Sequence, residues 1–168
     1  TMKRFNEACN DIAKVAFQNR TANKIRLQKL VYHHIRKRYG LSAQMTILAA
    51  RKAAEAYKRD RSTMPRFKPN GAMIHDQRTH SFKGIDRISI LTLKGRQIIP
   101  IVMGKYQRAK MAYIRGQSDL VLSRKGRFYL IATIDLPEPP PTKPTNTLGV
   151  DLGLKHLAYD SDGAHYLG

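Results

Sequence analysis

Apolar residues recur with a helical period through the first third of the chain. Phe5, Cys9, Ile12 and Ala16 fall on one face, with Ala8 and Val15 beside it, and predict a helix over residues 2–18. Asn19–Asn23 breaks that pattern. Leu27, Leu30, Val31 and Ile35 make the stripe of a second helix over 24–38, and Gly40 suits the left-handed position that closes it. Ser42 can cap a third helix over 43–60. Met45, Leu48, Ala49, Lys52, Ala53 and Ala56 trace its inner side, extended by Tyr57, and its alanines allow close packing. Three antiparallel helices are the expected first unit, residues 1–62.

The period changes after Met64-Pro65. Phe67, Met73-Ile74, Ser81-Phe82, Ile88–Leu93, Ile98–Val102, Leu120–Leu122 and Phe128–Ile134 are short runs rich in β-branched and aromatic residues, and predict strands. Lys94–Arg96 and Arg124–Gly126 read as turns. Pro100 places its strand at an edge or bulge, because proline has no amide hydrogen for a ladder. Lys105–Ile114 reads as an inserted helix, within 104–115, that offers Arg108, Lys110 and Arg115 to solvent. Several antiparallel strands with one inserted helix suggest a small barrel over 63–136. The proline-rich stretch Leu136–Pro144 reads as a semi-rigid spacer, so that 137–146 is a linker before a last segment at 147–168. The fold class expected is α+β.

Charge changes this picture most. Lys and Arg number 31 against 12 acids, a net of +19, and such self-repulsion implies a polyanionic partner. From Ile12 to Ala54 there is no acid, whereas Lys14, Arg20, Lys24, Arg26, Lys29, Arg36, Lys37, Arg38, Arg51 and Lys52 all fall there. That run reads as a phosphate-binding surface. Without a long apolar span or a lipidation motif, nucleic acid fits better than a membrane. The N-terminal residues are not an apolar signal segment. The single cysteine, Cys9, excludes an internal disulfide and a cysteine-based zinc ribbon within these residues, and reads as a small core residue. The adjacent His33 and His34 face different ways and read as surface or phosphate-near residues, not as a metal pair.

One candidate for catalysis stands near the end. Thr147–Gly153 reads as a short buried strand whose only charge is Asp151, and a buried carboxylate needs a metal ion, a donor or an open cleft. Leu154–Tyr159 reads as a second strand, and Asp160-Ser-Asp-Gly163 as the turn after it. A strand with one carboxylate followed by a hairpin is how ribonuclease-H-like folds begin.

Arg4-Phe-Asn-Glu-Ala-Cys-Asn10, Leu41-Ser-Ala-Gln44, Pro65-Arg-Phe-Lys68, Leu93-Lys-Gly-Arg96, Gly126-Arg-Phe-Tyr129 and Leu148-Gly-Val-Asp-Leu-Gly153 follow one another in that order. Together they resemble TnpB, the RNA-guided endonuclease of bacterial and archaeal insertion sequences and ancestor of type V CRISPR effectors. The resemblance implies a basic three-helix recognition lobe and a wedge β-barrel that grips guide RNA and the DNA flanking a target. It also implies the first hairpin of a RuvC nuclease domain, and a cytoplasmic setting. Asp151 matches the first RuvC carboxylate. In that mechanism acidic residues hold two Mg²⁺ ions, one activating water and the other stabilising the leaving oxygen.

The chain departs from the family pattern. It starts inside the first helix, without the wedge strand that usually precedes it, and stops after one RuvC hairpin. The other two RuvC carboxylates and the four-cysteine zinc motif are absent, so zinc is expected only in a missing C-terminal part. Asp160 and Asp162 are turn residues rather than substitutes. The expectation is an N-terminal portion or truncated copy, inactive alone, whose remaining RuvC residues lie downstream or on a separate chain.

Binding is expected to outlast catalysis. Lys24, Arg26, Lys29, Arg36, Lys37, Arg51, Lys58 and Arg59 are candidates for phosphate contacts. Gln44 is a candidate reader of an adenine edge, and Arg66 of guanine, beside Phe67 and Lys68. Phe67 serves either as a stacking platform or as barrel core. Ser81, Phe82 and Lys83 are further candidates for RNA contact. The alternatives are a catalytically inactive relative that serves as an RNA- or DNA-binding module and, more remotely, an actin-like ATP-binding fold. The latter favours small hydroxylated residues after D-x-G, where this chain has Leu154-Lys-His-Leu157.

Overall fold

The computed structural model describes residues 1–140, 146–153 and 157–167. The chain forms two compact units, Thr1–Leu136 and Pro137–Gly168. The architecture is α+β, with helices and small antiparallel sheets.

The first unit begins with α1 (Met2–Gln18), α2 (Lys24–Tyr39) and α3 (Ala43–Arg59). Their ends follow local chemistry. The Asn23 side chain accepts from the amides of Ile25 and Arg26, Gly40 closes α2 at φ 63°, and Ser42 Oγ accepts from the Met45 amide. The expected stripes are buried, apart from Val15, Lys52 and Ala56, which are partly buried, and Leu30, which is half exposed. The helices run up, down and up. Cys9 of α1 lies against the Ala49 carbonyl and Phe17 against Tyr57, so α1 and α3 are parallel. Cys9 is fully buried, and burial raises its thiol to about 12, so it stays protonated and serves as core.

Six strands follow: β1 (Met73–His75), β2 (His80–Lys83), β3 (Arg87–Thr92), β4 (Gly95–Pro100), β5 (Ile114–Leu122) and β6 (Phe128–Ile134). Their ladders form two three-stranded sheets, ordered β1-β5-β6 and β2-β3-β4, where one continuous barrel was expected. The physical reason lies in the connections. A tight turn at residues 93–94 pairs Thr92 with Gly95, whereas β4 leaves its sheet at Pro100 and enters α4 (Lys105–Lys110), a 3₁₀ turn (Met111–Tyr113) and then β5 of the other sheet. β4 is an edge strand, as Pro100 requires. Phe67 lies in no strand. The inserted helix is shorter than expected because β5 starts at Ile114.

The helices and sheets share one core. Met73 belongs to the same buried cluster as Phe5, Ile12, Leu27 and Met45, and Phe67, Ile74, Leu91, Leu93, Leu120 and Leu122 pack against it. The boundary expected near residue 62 therefore lies inside a single compact unit. Among the described residues no helix is long and apolar enough to cross a membrane.

The second unit contains β7 (Val150–Asp151), β8 (Ala158–Asp160) and β9 (His165–Tyr166), in one antiparallel sheet. Residues 154–156, part of the expected second strand, lie outside the described residues, as do 141–145 of the linker. The strand carrying Asp151 was expected to be buried. Instead Leu148, Val150, Asp151 and Leu152 are all exposed. Among the described residues of this unit the ladders are two or three residues long, too short to build a covering layer.

His75 sits where β1 meets β5, opposite Ser118, with both ring nitrogens buried and without a hydrogen-bond partner among the described residues. Burial, then the His80 ring nearby, lowers its pKa from 6.5 to about 4. The folded state therefore resists a proton that the unfolded chain accepts. The stability from a neutral His75 is fully present above pH 6.5 and is lost as the pH falls through about 4. We expect acid to weaken folding by ~3 kcal/mol across that window through this residue alone. Urea titrations at a series of pH values should show a shallower slope for His75→Phe.

Candidate nucleic-acid interface

The outer face of α2 carries basic side chains at helical spacing. Arg26, Lys29, His33 and Arg36 stand at i, i+3, i+7 and i+10, with Lys37 adjoining; all are exposed, on the side away from Leu27, Val31 and Ile35. The row is about 15 Å long. Among the described residues none of Lys24, Arg26, Lys29, Arg36, Lys37, Lys58 and Arg59 forms an ion pair. Lys58 and Arg59 are exposed in the last turn of α3, where cations complement the helix dipole. Arg51 differs, because its Nε donates to Glu55 at 2.9 Å. Asp11 takes Arg38 at 3.0 Å and Lys14 at 3.8 Å, and accepts the Tyr39 hydroxyl at 2.6 Å, which removes those two cations from the free set.

Lys52 falls in the acid-free run of cations but was placed on the inner side of α3, and the fold turns it inward. Its Nζ donates to Asn6 Oδ1 at 2.9 Å and to the Ala72 carbonyl, and lies 5.0 Å and 5.7 Å from the ring centres of Phe67 and Phe5. Burial lowers its pKa from the ordinary lysine value. The position follows from the inner stripe of α3, where 52 falls between Leu48 and Ala56.

Arg66, Phe67 and Lys68 lie in an extended segment clamped by Asn10. Its side chain donates to the Phe67 carbonyl at 2.9 Å and accepts from the Phe67 amide at 2.7 Å, as a neighbouring strand would. The Phe67 ring packs on the core beneath Lys52, so the core reading of this residue holds, while Arg66 and Lys68 are exposed. Gln44 is engaged at both ends. Its Nε2 donates to the Asp76 carboxylate, and its Oε1 accepts from Arg78 Nη1 at 3.3 Å. It fastens the turn between β1 and β2 instead of presenting a free amide. The Asp76 Oδ1 accepts from the amides of Arg78 and Thr79, and His80 Nδ1 donates to the Asp76 carbonyl at 2.8 Å. His80 Nε2 lies 3.2 Å from Ser118 Oγ, which ties the two sheets together. Ser81, Phe82 and Lys83 form most of β2, an edge strand. Only Lys83 is exposed, while Phe82 is half-buried with its ring 5.9 Å from that of His80.

In the second unit Asp151 pairs in register with Tyr159 and stands exposed. Among the described residues no three His, Cys, Asp or Glu side chains converge to hold a metal ion. A two-Mg²⁺ site needs several carboxylates, so the donors among the described residues do not fit one. Asp160 accepts from the amides of Asp162 and Ala164 at 3.1 and 2.8 Å and from the Tyr166 hydroxyl at 3.2 Å. This is the turn its sequence predicted.

Sequence reasoning overlooked the linking role of Asn6 and Asn10. Polar residues on the apolar side of a helix were the available signal. No protein-family model matches the chain, and no curated protein matches it.

Lys52→Ala leaves Asn6 Oδ1 and the Ala72 carbonyl without their donor. We expect a loss of about 2–4 kcal/mol in chemical denaturation, with Lys52→Met losing less because it keeps the packing.

Proposed function

We propose that this chain binds nucleic acid through its helical face, as the N-terminal part of a TnpB-like RNA-guided DNA endonuclease. In this reading α1–α3 act as the recognition lobe, the sheets after residue 63 as the wedge element, and β7–β9 as the first hairpin of a RuvC domain. The partners are a guide RNA and a target DNA. The remaining carboxylates for Mg²⁺ are supplied from outside these residues, on the same or a separate chain, along with any zinc motif. The observation that carries the proposal is the exposed row of unpaired cations on α2, within a stretch free of acids. Fixed positive charge at that density gains by releasing the counterions of a polyanion. The ordered motifs that resemble TnpB choose the family.

That no cluster of metal-ligating side chains includes Asp151 among the described residues favours a second reading, a catalytically inactive relative that serves only as an RNA- or DNA-binding module. The two share the same binding face and differ in whether partner carboxylates exist elsewhere.

Two outcomes test the proposal. If ~6–10 phosphates are neutralised, affinity for a structured RNA should fall by ~10³–10⁵ between low and moderate salt. Replacing Arg26, Lys29, Arg36 and Lys37 together by Gln should flatten that dependence by about one unit of log–log slope per residue. A salt-independent affinity sinks the reading. The 168-residue chain should also show no Mg²⁺-dependent cleavage of DNA. Cleavage by this chain that disappears in Asp151→Ala would show that a complete site is present after all.

A further inference from the structure

The carboxyl ends of α1 and α3 meet at a cavity of about 420 Å³ bounded by Phe17, Arg20, Tyr57 and Arg61. Phe17 is 39% exposed, and its ring stands edge-to-face on buried Tyr57, with centroids 6.0 Å apart and an interplanar angle of 74°. The aromatic pair thus gives a fixed platform with one ring partly open to solvent. Both arginines are exposed, and neither forms an ion pair among the described residues. The nearest acid in sequence, Asp60, accepts from the Ser62 amide at 2.9 Å and hydroxyl at 2.6 Å, and does not bound the cavity.

Arg20 holds an unusual backbone. At φ 47° it is the only residue other than glycine with positive φ among those described. It occupies the left-handed position just beyond α1, where its amide donates to the Phe17 carbonyl at 3.1 Å and the next amide, of Thr21, to the Ala16 carbonyl at 3.0 Å. Glycine suits that geometry and arginine pays a steric penalty there. Local helix-capping chemistry thus gives no reason for arginine, and its side chain bounds the cavity.

We propose that this cavity binds one unpaired nucleotide of a single strand, with its base stacked on Phe17 and its phosphate held between Arg20 and Arg61. Two unpaired guanidiniums select an anion, and an open aromatic ring selects a planar partner; a nucleotide is the ligand class that is both. The volume lies within the range of small-ligand sites. A base kept inside a duplex cannot reach the ring, so the site acts on single-stranded segments and tolerates any base. The inference rests on the nucleic-acid reading above and adds to it a stacking site at the end of the bundle.

The test compares wild type, Phe17→Ala and Arg20→Gly in binding a fluorescent oligothymidylate and an abasic strand of equal length. Thermal melts are recorded in parallel. Arg20→Gly should leave the melting temperature unchanged or raised, because glycine accepts the left-handed conformation, yet weaken oligothymidylate binding about tenfold. Phe17→Ala should weaken oligothymidylate binding about tenfold and leave abasic binding unchanged. Full affinity in Arg20→Gly overturns the proposal, as does equal weakening of both strands by Phe17→Ala. If wild type binds structured RNA and both variants keep their affinity for oligothymidylate, only the cavity assignment falls. If wild type binds no nucleic acid, the broader function falls with it.

Discussion

The first unit depends on one ammonium group. Lys52 Nζ reaches the Asn6 side chain, the Ala72 carbonyl and two aromatic rings, and so joins α3, α1 and the entry to β1. A charge taken from water is costly unless its donors are used. Here the recipients are neutral oxygens that belong to separate parts of the chain, so the requirement to satisfy the ammonium is also a requirement that those parts meet. Asn6 extends the junction, because its Nδ2 donates to the Gly71 carbonyl at 2.8 Å. Asn10, one helical turn further along α1, clamps Phe67. Three polar side chains on the inner faces of two helices thus hold the segment that carries the chain from bundle to sheets.

That junction separates two uses of positive charge. Turned inward, a lysine organises the core. Turned outward on α2, Arg26, Lys29, Arg36 and Lys37 lack acidic neighbours and remain available to an anion. The proposed binding role concerns the second set alone. The same division applies to the motifs on which the family resemblance rests. Asn6 and Asn10 of the first motif and Phe67 of the third are structural fasteners, whereas Arg66 and Lys68 are exposed.

Much of the first unit was legible because its signals are local. Helix limits came from caps and periodicity: Asn19–Asn23 as a break, Gly40 as a left-handed stop, Ser42 as a cap. The strands followed from β-branched runs, and Pro100 marked an edge because a missing amide hydrogen matters wherever the strand sits. Candidate site residues were less legible. Gln44 was read as a candidate for an adenine edge, and only Asp76 and Arg78, more than thirty positions away, showed that its amide is occupied.

The sequence by itself determined the elements, the excess of cations and the positions of the turns, including Asp160–Gly163, since each is set by neighbours within a few residues. Tertiary structure alone decided which partners the inward-facing Lys52 meets, that helices and sheets share one interior, and that six strands divide into two sheets. It also decided that Asp151 stands exposed, and that Phe17, Arg20 and Arg61 surround one cavity. The reason is physical. These outcomes depend on which distant surfaces exclude water from one another, and no local pattern specifies that pairing.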